Sequence, residues 1–338
     1  MPVGPPILTD LSAVFDEPLA PIEWVVEPLI PVGTRTLVYG EAGSLKSWML
    51  IDLGLHLALG KPWLGRYACP HPMRVVYVDE EMPERTLRRR LWRMGAYAGV
   101  DTSAGRGPVV PFKYINRHGL VFSTQGADEL YRNLRGEFWP HVIILETFRQ
   151  VFIGSEINPQ DVRAFWKSLE PFCKEGVTVI VSHHMNKPTS NGYETALRYR
   201  ASGSMDLIAG ADMVYALVRK GPSTALVEPV KGREAAEAEA FTFELDEPEG
   251  PEGPVGLQWR GTKDDWVQAN AKGHQGRVRV LEYLHEHEGS AQRKDLLALG
   301  IPKSTLHDIL KELKESGQIF SPQAGVWQIN PHPPIYIS

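Results

Sequence analysis

The stretch "RTLVYGEAGSLKSWMLIDLGLHLAL", residues 35–59, decides how this chain folds. An apolar run rich in strand-forming residues is followed by a glycine-containing turn and then by apolar residues at helical spacing. This order predicts a strand, a loop and a helix. The turn "GEAGSLKS", residues 40–47, matches the phosphate-loop pattern G-x-x-x-x-G-K-[ST] at every fixed position except one, because Leu45 stands where the pattern has glycine.

A phosphate loop binds nucleotides mainly through its backbone. Successive N–H groups and the positive end of the following helix surround the phosphate oxygens, a lysine adds charge, and a serine or threonine hydroxyl ligates Mg²⁺. Lys46 and Ser47 stand in register for these last two roles. An ordinary strand-to-helix turn with a surface lysine is the alternative. The residues expected to bind the nucleotide are Gly40, Glu41, Ala42, Gly43, Ser44, Leu45, Lys46 and Ser47.

Leucine at position 45 gives up the easy access to positive φ that glycine has. The residues that follow it already have helical spacing, so we expect Leu45 to adopt a negative φ. We also expect its side chain to pack away from the phosphates. On this interpretation the loop keeps its backbone N–H and tolerates leucine because the side chain packs away from the phosphates.

Apolar strand-like runs alternate with helix-length stretches up to about residue 260. The runs are nearly continuous in valine, isoleucine and leucine, which is typical of strands buried on both faces of a parallel sheet. The alternation predicts a doubly wound α/β core with a mainly parallel central sheet. The predicted strands are "TLVYG" (36–40), "RVVYVD" (74–79), "HVIILE" (141–146), "VTVIVS" (177–182), "DMVYALVR" (212–219) and "TALVEPV" (224–230), and the predicted helices span 45–59, 83–98, 127–136 and 159–176.

The composition changes after residue 245, and a second, smaller pattern follows. Three helix-length stretches precede "QIFSPQAGVWQI", residues 318–329, which predicts a β-hairpin. Three helices followed by a hairpin are typical of a winged helix-turn-helix domain, with Ser304 as the N-cap of the third helix. The predicted organisation is an N-terminal arm (1–30), an α/β domain (31–262), a linker (263–276), a winged-helix domain (277–331) and a tail (332–338).

Composition and charge exclude several classes of protein. The chain has 338 residues, 43% of them hydrophobic, and a formal net charge of −5, which argues against coating duplex DNA by charge alone. Its two cysteines, Cys69 and Cys173, form neither a metal motif nor a disulfide framework, so we expect a cytoplasmic location. The first residues lack the pattern of a signal peptide, and no apolar window predicts a membrane span.

Acidic residues end two of the predicted strands. Asp79, Glu80 and Glu81 come at the end of one strand, and Glu146 ends another. The carboxyl edge of a parallel sheet is where such folds gather their ligands. We therefore expect Glu146 to hold Mg²⁺ and one carboxylate of the first group to polarise an attacking water. A loop-capping residue and a solvated acidic turn are the respective alternatives.

Adjacent histidines, His183 and His184, follow the next strand in "VSHHMNKP". Neighbours in an extended strand point to opposite faces, so the two cannot readily share a metal ion. No cysteine or further carboxylate cluster adjoins them in the sequence, which argues against a zinc site. We expect a single histidine to act as a donor facing the γ-phosphate.

Six motifs in a fixed order resemble those of the RecA-like ATPases, and more narrowly those of the DnaB-type and plasmid RepA-type replicative helicases. The resemblance covers roughly residues 22–260 and implies a RecA-like P-loop ATPase core whose cofactors are ATP and Mg²⁺. The motifs are "GEAGSLKS", "VDEEMPERTLRRRL", "VIILETF", "VSHHMNK", "RASGSMDLIAGADMVYALVRK" and "VKGRE".

The resemblance also implies roles for individual residues. The family's catalytic glutamate falls on Glu81, its Mg²⁺-linked aspartate on Glu146, and its polar sensor of the γ-phosphate on His184. Glutamate in place of aspartate at position 146 is a departure from the family. The family's basic pair, which reaches the nucleotide of a neighbouring subunit, falls on Lys231 and Arg233. In that case the active site forms between subunits of a ring, expected to be hexameric, whereas a basic surface turn is the alternative.

Two stretches that follow core strands, residues 147–160 and 186–204, lack apolar periodicity. The second mixes basic and tyrosine side chains, which suits single-stranded DNA through phosphate contacts and stacking. Disordered surface loops are the alternative. The predicted winged helix has equal numbers of acidic and basic residues, so docking of a primase or another replication protein is as compatible as duplex binding. The candidate nucleic-acid contacts are Lys187, Arg198, Arg200 and, in the winged helix, Lys303.

The sequence thus predicts a DNA-dependent, ring-forming ATPase that acts on single-stranded DNA, as a replicative-type helicase of a mobile element or phage. A DNA-binding ATPase without unwinding activity, serving recombination, defence or regulation, is one alternative. A regulator that binds ATP only as a structural ligand is another, and Leu45 and Glu146 favour it. Retention of Glu81, His184, Lys231 and Arg233 favours an enzyme, because a protein that only binds ATP would not need them.

Overall fold

The computed structural model divides the chain into two compact units, Met1–Arg260 and Gly261–Ser338. The structure describes residues 10–15, 18–101, 110–186, 197, 200–233, 238–250 and 252–330. No helix among these residues combines the length and the apolar character needed to cross a membrane.

Strands and helices alternate along the first unit, after a short 3₁₀ helix at Leu11–Val14. The strands are β1 (Trp24–Val26), β2 (Ile30–Pro31), β3 (Arg35–Gly40), β4 (Val75–Asp79), β5 (Phe112–Asn116), β6 (Val142–Glu146), β7 (Thr178–His184), β8 (Met213–Arg219), β9 (Thr224–Gly232), β10 (Phe241–Asp246) and β11 (Gly256–Thr262). The helices are α1 (Lys46–Leu59), α2 (Glu84–Tyr97), α3 (Thr124–Glu137), α4 (Phe148–Val151), α5 (Pro159–Lys174) and α6 (Asp206–Gly210).

Nine of these strands form one sheet, in the order β11-β10-β9-β8-β3-β7-β6-β4-β5. The six strands from β8 to β5 are parallel, whereas β9 runs antiparallel to β8 and β10 antiparallel to β9. The predicted mainly parallel central sheet is therefore confirmed. Gly40 pairs in register with His184, and Asp79 pairs with Glu146, so the strand ends that carry the candidate site meet at one edge.

Alternate side chains of the central strands pack on opposite faces of the sheet. Val38 and Tyr77 join one apolar cluster together with residues of α1, whereas Leu37 and Val76 join a second cluster with residues of α3 and α5. All four side chains are almost fully buried. Burial on both faces explains why these strands appear in the sequence as near-continuous apolar runs.

The first unit differs from the sequence-based expectation in three places. Residues 24–31 pack into the core through Val25 and Val26 instead of forming a separate arm. The edge strand β5 was not predicted, because its middle residues are exposed and polar or aromatic. Helix α4 lies in a stretch expected to be an irregular loop, and its residues Phe148 and Val151 are fully buried.

The second unit contains three helices and a three-stranded sheet. Its elements are α7 (Lys263–Glu286), β12 (Ser290–Gln292), α8 (Arg293–Leu297), α9 (Lys303–Glu315), β13 (Ile319–Phe320) and β14 (Val326–Ile329). β14 lies between the other two strands and is antiparallel to both, so the predicted C-terminal hairpin of β13 and β14 is present. An apolar core that includes Leu284, Leu306 and Leu310 holds these elements together.

Two expectations for this unit need correction. Residues 263–276, predicted as a linker, form the first half of α7. That helix begins at a capping box in which Thr262 accepts from the Asp265 N–H and the Asp265 side chain accepts from the Thr262 N–H, which fixes a helix start in a stretch without strong apolar periodicity. Ser304 is not the N-cap of α9, because that helix begins at Lys303 with Pro302 in the cap position.

Candidate nucleotide-binding site

The predicted strand, loop and helix of residues 35–59 are present as β3, residues 41–45 and α1. Gly40 ends the strand where there is no room for a side chain, since a Cβ atom there would lie 2.6 Å from the carbonyl oxygen of Leu217 and from Ser44 Oγ. Gly43 has a φ of +74°, a conformation that glycine adopts at little cost. The two glycines thus allow the tight turn that a phosphate loop requires.

Leu45 does not have the negative φ expected from the sequence. Its φ is +70° and its ψ is 16°, which is the left-handed conformation that glycine usually supplies at this point of the motif. For a residue with a Cβ atom this conformation costs about 1–2 kcal/mol. The side chain packs against the apolar cluster beside α1, as expected for a leucine directed away from the phosphates. The loop therefore keeps its backbone shape despite the missing glycine.

Lys46 is buried at the start of α1 and points back over the loop. Its Nζ donates to the carbonyl oxygens of Gly40 at 2.8 Å and Glu41 at 2.9 Å. Burial lowers the pKa of Lys46, and the nearby carboxylates of Glu146, Glu81 and Glu41 act in the opposite direction. The carboxylates of Glu146, Glu81 and Glu41 thus favour the charged form of this ammonium group.

The next residue, Ser47, connects the loop with the end of β6. Its Oγ donates to Glu146 Oε1 at 2.6 Å, and the Tyr77 hydroxyl donates to Glu146 Oε2 at 2.5 Å. Burial raises the pKa of Glu146, while these two hydrogen bonds favour its ionised form. A carboxylate that faces the loop serine in this way has the oxygen ligands that Mg²⁺ prefers.

The three acidic residues at the end of β4 make different contacts. Asp79 is buried, and its Oδ1 accepts from the N–H groups of Glu81 and Met82. Glu80 caps the backbone of residues 118–120 with three hydrogen bonds. Of the three, Glu81 alone has an exposed carboxylate, and this carboxylate lies beside Lys46. The Glu81 backbone is held by Asp79 and by Arg117, which donates to the Glu81 carbonyl oxygen at 2.6 Å. Geometry therefore favours Glu81 over its neighbours as the group that orients water.

The two histidines at the end of β7 have different environments. His183 is fully buried against Phe148, and its Nε2 lies 3.0 Å from the carbonyl oxygen of Ser202. Burial lowers its pKa to about 4, so its ring is neutral near pH 7. His184 is half-buried, and Lys46 and Glu81 are among the charged groups that act on it. Within the described part of the chain no group of three or more metal-ligating side chains includes either histidine.

The basic pair at the end of β9 is held by its own chain. Lys231 Nζ donates to the carbonyl oxygens of Ile208, Ala209 and Ala211 at the end of α6, at distances of 2.5–2.9 Å. Arg233 is more exposed and pairs with a carboxylate oxygen of Asp212 at 3.0 Å. The Arg233 side chain is 52% exposed, whereas Lys231 is half-buried.

The structure separates the predicted nucleic-acid contacts. Lys187 and Arg198 lie outside the described residues. Arg200 lies beside the phosphate loop, where it forms an ion pair with Glu41. Lys303 is an exposed residue at the start of α9 in the second unit.

Several contacts of the loop were not predicted from the sequence. Arg219, at the end of β8, donates through Nη1 to the carbonyl oxygen of Gly43 at 2.6 Å. The hydroxyl of Tyr77 that binds Glu146 and the pairing of Arg200 with Glu41 were also missed. Only the position of Arg219 carried a signal, because an arginine that ends a strand next to β3 must lie near the loop.

The residues present fit a magnesium nucleotide. Within the described residues no side chain caps the first turn of α1, so the N–H groups at the positive end of this helix are available to an anion. Lys46 supplies a buried positive charge beside them, and Ser47 with Glu146 supplies oxygen ligands. The donors, the charge and the oxygen pair lie at one edge of the sheet.

Comparison with known proteins gives one family model and two solved structures. Crystal structures of the flagellar accessory protein FlaH from Methanocaldococcus jannaschii and of the RadB recombinase match with TM-scores of 0.43 and 0.43. Sequence identities are 13% and 15%, covering 68% and 67% of this chain and 91% and 90% of those chains. No curated protein sequence matches.

The family model described as an AAA domain matches residues 5–190, the part of the chain that contains the phosphate loop, Glu81, Glu146 and His184. This range is more than half of the 338 residues. The protein therefore belongs to the AAA domain family, and its core is a RecA-like P-loop ATPase fold.

Proposed function

We propose that this protein is a Mg²⁺-dependent ATPase that is stimulated by single-stranded DNA and works as a ring, as a replicative-type helicase does. The observation that carries the ATPase part is the convergence of Lys46, Ser47, Glu146 and Glu81 at the carboxyl edge of the parallel sheet. These side chains come from three separate elements, and they supply a cation, a pair of oxygen ligands and an exposed carboxylate.

Bound Mg²⁺-ATP would supply the phosphoanhydride and the Lewis acid, and the protein would supply position and charge. Lys46 would bind the β- and γ-phosphates, and Ser47 with Glu146 would hold the metal. The Glu81 carboxylate would accept a proton from the attacking water and orient it. His184 would donate a hydrogen bond towards the γ-phosphate from the neighbouring strand end.

A ring would complete this site with a basic side chain from the neighbouring subunit. Arg233 is the better candidate of the predicted pair, because Lys231 already donates to three carbonyl oxygens of its own chain. Arg233 has one carboxylate partner that it shares with Arg35, and its guanidinium is exposed. We propose a hexamer on the basis of the family resemblance.

The proposal that the protein binds DNA is based on segment 186–204 and on the second unit. The second unit contains three helices and a three-stranded sheet, which supports the proposal of a winged helix, and Lys303 is exposed at the start of its third helix. We propose that segment 186–204 contacts single-stranded DNA and that the second unit contacts DNA or a replication protein such as a primase.

Steady-state ATP hydrolysis with and without single-stranded DNA, at low salt, tests this proposal. We expect DNA to raise the rate and the Glu81→Gln variant to lower it by about 10²–10³-fold while still binding ATP. Tight MgATP binding without hydrolysis under either condition would refute the ATPase. A DNA-stimulated enzyme that fails to displace a strand from a forked substrate would support the DNA-binding ATPase without unwinding activity.

A regulator that binds ATP as a structural ligand is the second candidate. The hydrogen bonds of Lys231 favour this second candidate. Lysine has three N–H donors, and Lys231 donates three hydrogen bonds within its own chain, so no donor is left for a neighbouring subunit. Tight MgATP binding with no turnover by either the wild-type protein or Glu81→Gln would point to this candidate.

A further inference from the structure

Two arginines hold the phosphate loop from opposite sides. Arg219 ends β8, on one side of β3, and donates to the Gly43 carbonyl oxygen at 2.6 Å. Arg200 follows β7, on the other side of β3, and pairs with the Glu41 carboxylate. The two residues therefore make comparable contacts with the loop but belong to different segments of the chain.

Arg200 is the more deeply placed of the two. Its side chain is 14% exposed, and its second contact is with the carbonyl oxygen of Asn186 at 3.3 Å. Its Nε is buried without a partner among the described residues. A buried positive charge is costly unless a negative charge lies beside it. The Arg200 guanidinium therefore depends mainly on the Glu41 carboxylate.

Glu41 links this ion pair to the lysine of the site. Its carboxylate binds Arg200, and its carbonyl oxygen accepts from Lys46 Nζ at 2.9 Å. A change in the position of Arg200 therefore moves the residue that holds the phosphate-binding lysine. The connection from Arg200 to Lys46 passes through a single residue.

The base of segment 186–204 is attached to the same strand. The N–H of Met185 donates to the carbonyl oxygen of Gly40 at 3.0 Å, and the Tyr39 hydroxyl donates to the carbonyl oxygen of Leu197 at 2.7 Å. Met185 also pairs with Ala201 across the base of the segment. The two ends of the segment are thus joined to each other and to the start of the phosphate loop.

We propose that Arg200 is a positioning residue of the nucleotide site: through Glu41 it sets the phosphate loop that holds Lys46, and it couples this loop to the occupancy of segment 186–204. The coupling to DNA rests on the proposed function, whereas the positioning of the loop does not. As a positioning residue, Arg200 does not touch the reacting atoms. It acts through Glu41.

A double-mutant cycle in MgATP affinity tests the positioning role. Titration calorimetry would be carried out on the full chain with Arg200→Gln, Glu41→Gln and their double variant, and with Arg200→Glu and the charge swap Arg200→Glu with Glu41→Arg, after thermal melting shows that each is folded. We expect each single change to raise Kd by about threefold to tenfold, and the double change to raise it no further. The charge swap should restore part of the affinity lost in the Arg200→Glu single variant.

Arg219→Gln is the matched control, because Arg219 also binds the loop but lies outside segment 186–204. Its effect on Kd should add to that of Arg200→Gln. In steady-state hydrolysis, Arg200→Gln should lower the ratio of DNA-stimulated to basal rate by at least about fivefold, whereas Arg219→Gln should keep the wild-type ratio. Retained DNA affinity of Arg200→Gln, measured by fluorescence anisotropy, separates lost coupling from lost binding.

Three results would overturn the inference. Additive effects of Arg200→Gln and Glu41→Gln on Kd, or unchanged Kd in both, would remove the positioning role. Equal loss of DNA stimulation in Arg200→Gln and Arg219→Gln would remove the specific coupling. If wild-type protein hydrolyses ATP without any response to DNA, the DNA-dependent part of the proposed function and the coupling both fail, and the cycle in MgATP affinity still decides the positioning role.

Discussion

Ser47 Oγ lies 2.6 Å from Glu146 Oε1, although 99 residues separate the two in the chain. The parallel register brings them together, because β3 and β6 are both neighbours of β7 and end at the same edge of the sheet. Glu146 is longer than the aspartate that resembling ATPases have, and its second oxygen binds the Tyr77 hydroxyl at 2.5 Å. The tyrosine thus anchors the longer side chain.

Tyr77→Phe should shift the acidic limb of the pH–activity profile to higher pH. Burial already raises the pKa of Glu146, and the Tyr77 hydrogen bond favours the ionised carboxylate. Removing this bond raises the pKa further, so the ionised form, which we propose to hold Mg²⁺, is lost sooner as the pH falls. We expect a shift of up to about two pH units in kcat/KM at saturating Mg²⁺, since a hydrogen bond to a charged group is worth about 1.5–3 kcal/mol and one pKa unit corresponds to about 1.36 kcal/mol.

Glu146→Gln is the comparison for this prediction. It keeps the size of the side chain but removes the charge, so MgATP affinity and hydrolysis should fall at all pH values without a shifted limb. An unshifted acidic limb in Tyr77→Phe would mean that the ionisation of Glu146 does not limit activity in this range.

Leu45 gives a prediction about backbone conformation. Leu45→Val should lower stability by about 1–3 kcal/mol and weaken MgATP binding, because a β-branched residue tolerates the left-handed conformation poorly. Leu45→Gly should stay within about 1 kcal/mol of wild type, since relief of the positive φ is offset by lost packing and by the flexibility of glycine in the unfolded chain.

Urea unfolding and calorimetric titration of MgATP would measure both effects. We expect the Kd of Leu45→Gly to lie within about tenfold of the wild-type value. A gain in affinity of several orders of magnitude would show that leucine distorts the loop, and a Leu45→Val variant indistinguishable from wild type would show that the residue does not adopt the left-handed conformation.

The meeting of the site residues was predictable because it follows from parallel topology. Strands buried on both faces have continuous apolar sequences, and parallel strands carry their last residues to one edge. The positions of Lys46, Glu81, Glu146 and His184 near this edge follow from the strand assignments alone.

The remaining features depend on contacts that leave no local pattern. Leu45 lies where the loop must close between a strand and a helix, and this closure determines its φ. The helical spacing of the following residues predicted a negative φ, whereas the observed φ is positive. The pairing of Arg200 with Glu41 joins positions 159 residues apart. The edge strand β5 exposes Lys113 and Tyr114, so its sequence lacks the apolar run that identified the central strands.

Asp52 gives a prediction about pH and stability. It lies in α1, accepts from Trp63 Nε1 at 3.1 Å, and has His56 3.4 Å away. Burial raises the pKa of Asp52 to about 6 from an ordinary value of 3.8. Because the folded state favours the protonated carboxyl, its contribution to stability is fully present below pH 3.8 and is lost as the pH rises through about 6.

Asp52→Asn should therefore remove this dependence, because the amide is a neutral group of the same shape. Between pH 4.5 and pH 8 the free energy of unfolding of the wild type should fall relative to that of the variant by about 2–3 kcal/mol. Guanidinium unfolding of both proteins at the two pH values measures the difference. A constant difference would mean that Asp52 is ionised in the folded protein throughout this range.

Truncation of Lys231 and of Arg233 to alanine should have different effects on stability and on hydrolysis. Lys231→Ala should lower the melting temperature, since it removes the donor of the Ile208 and Ala211 carbonyl oxygens and one of the two donors of the Ala209 carbonyl oxygen. Arg233→Ala should lower hydrolysis by about 10³-fold or more with a smaller loss of stability, because an arginine that acts across subunits contributes mainly to the transition state. Differential scanning calorimetry and steady-state hydrolysis separate the two effects.

Mixing inactive subunits decides whether Arg233 acts on a neighbour. Arg233→Ala retains Lys46 and Glu81, whereas Lys46→Ala retains Arg233, so a mixed ring contains some interfaces with every group in place. In an equal mixture that exchanges subunits at random, about one interface in four is complete, and activity should recover to about a quarter of the wild-type value. Activity no greater than that of either variant alone, in a mixture shown to exchange subunits, would place Arg233 outside the nucleotide site of the neighbouring subunit.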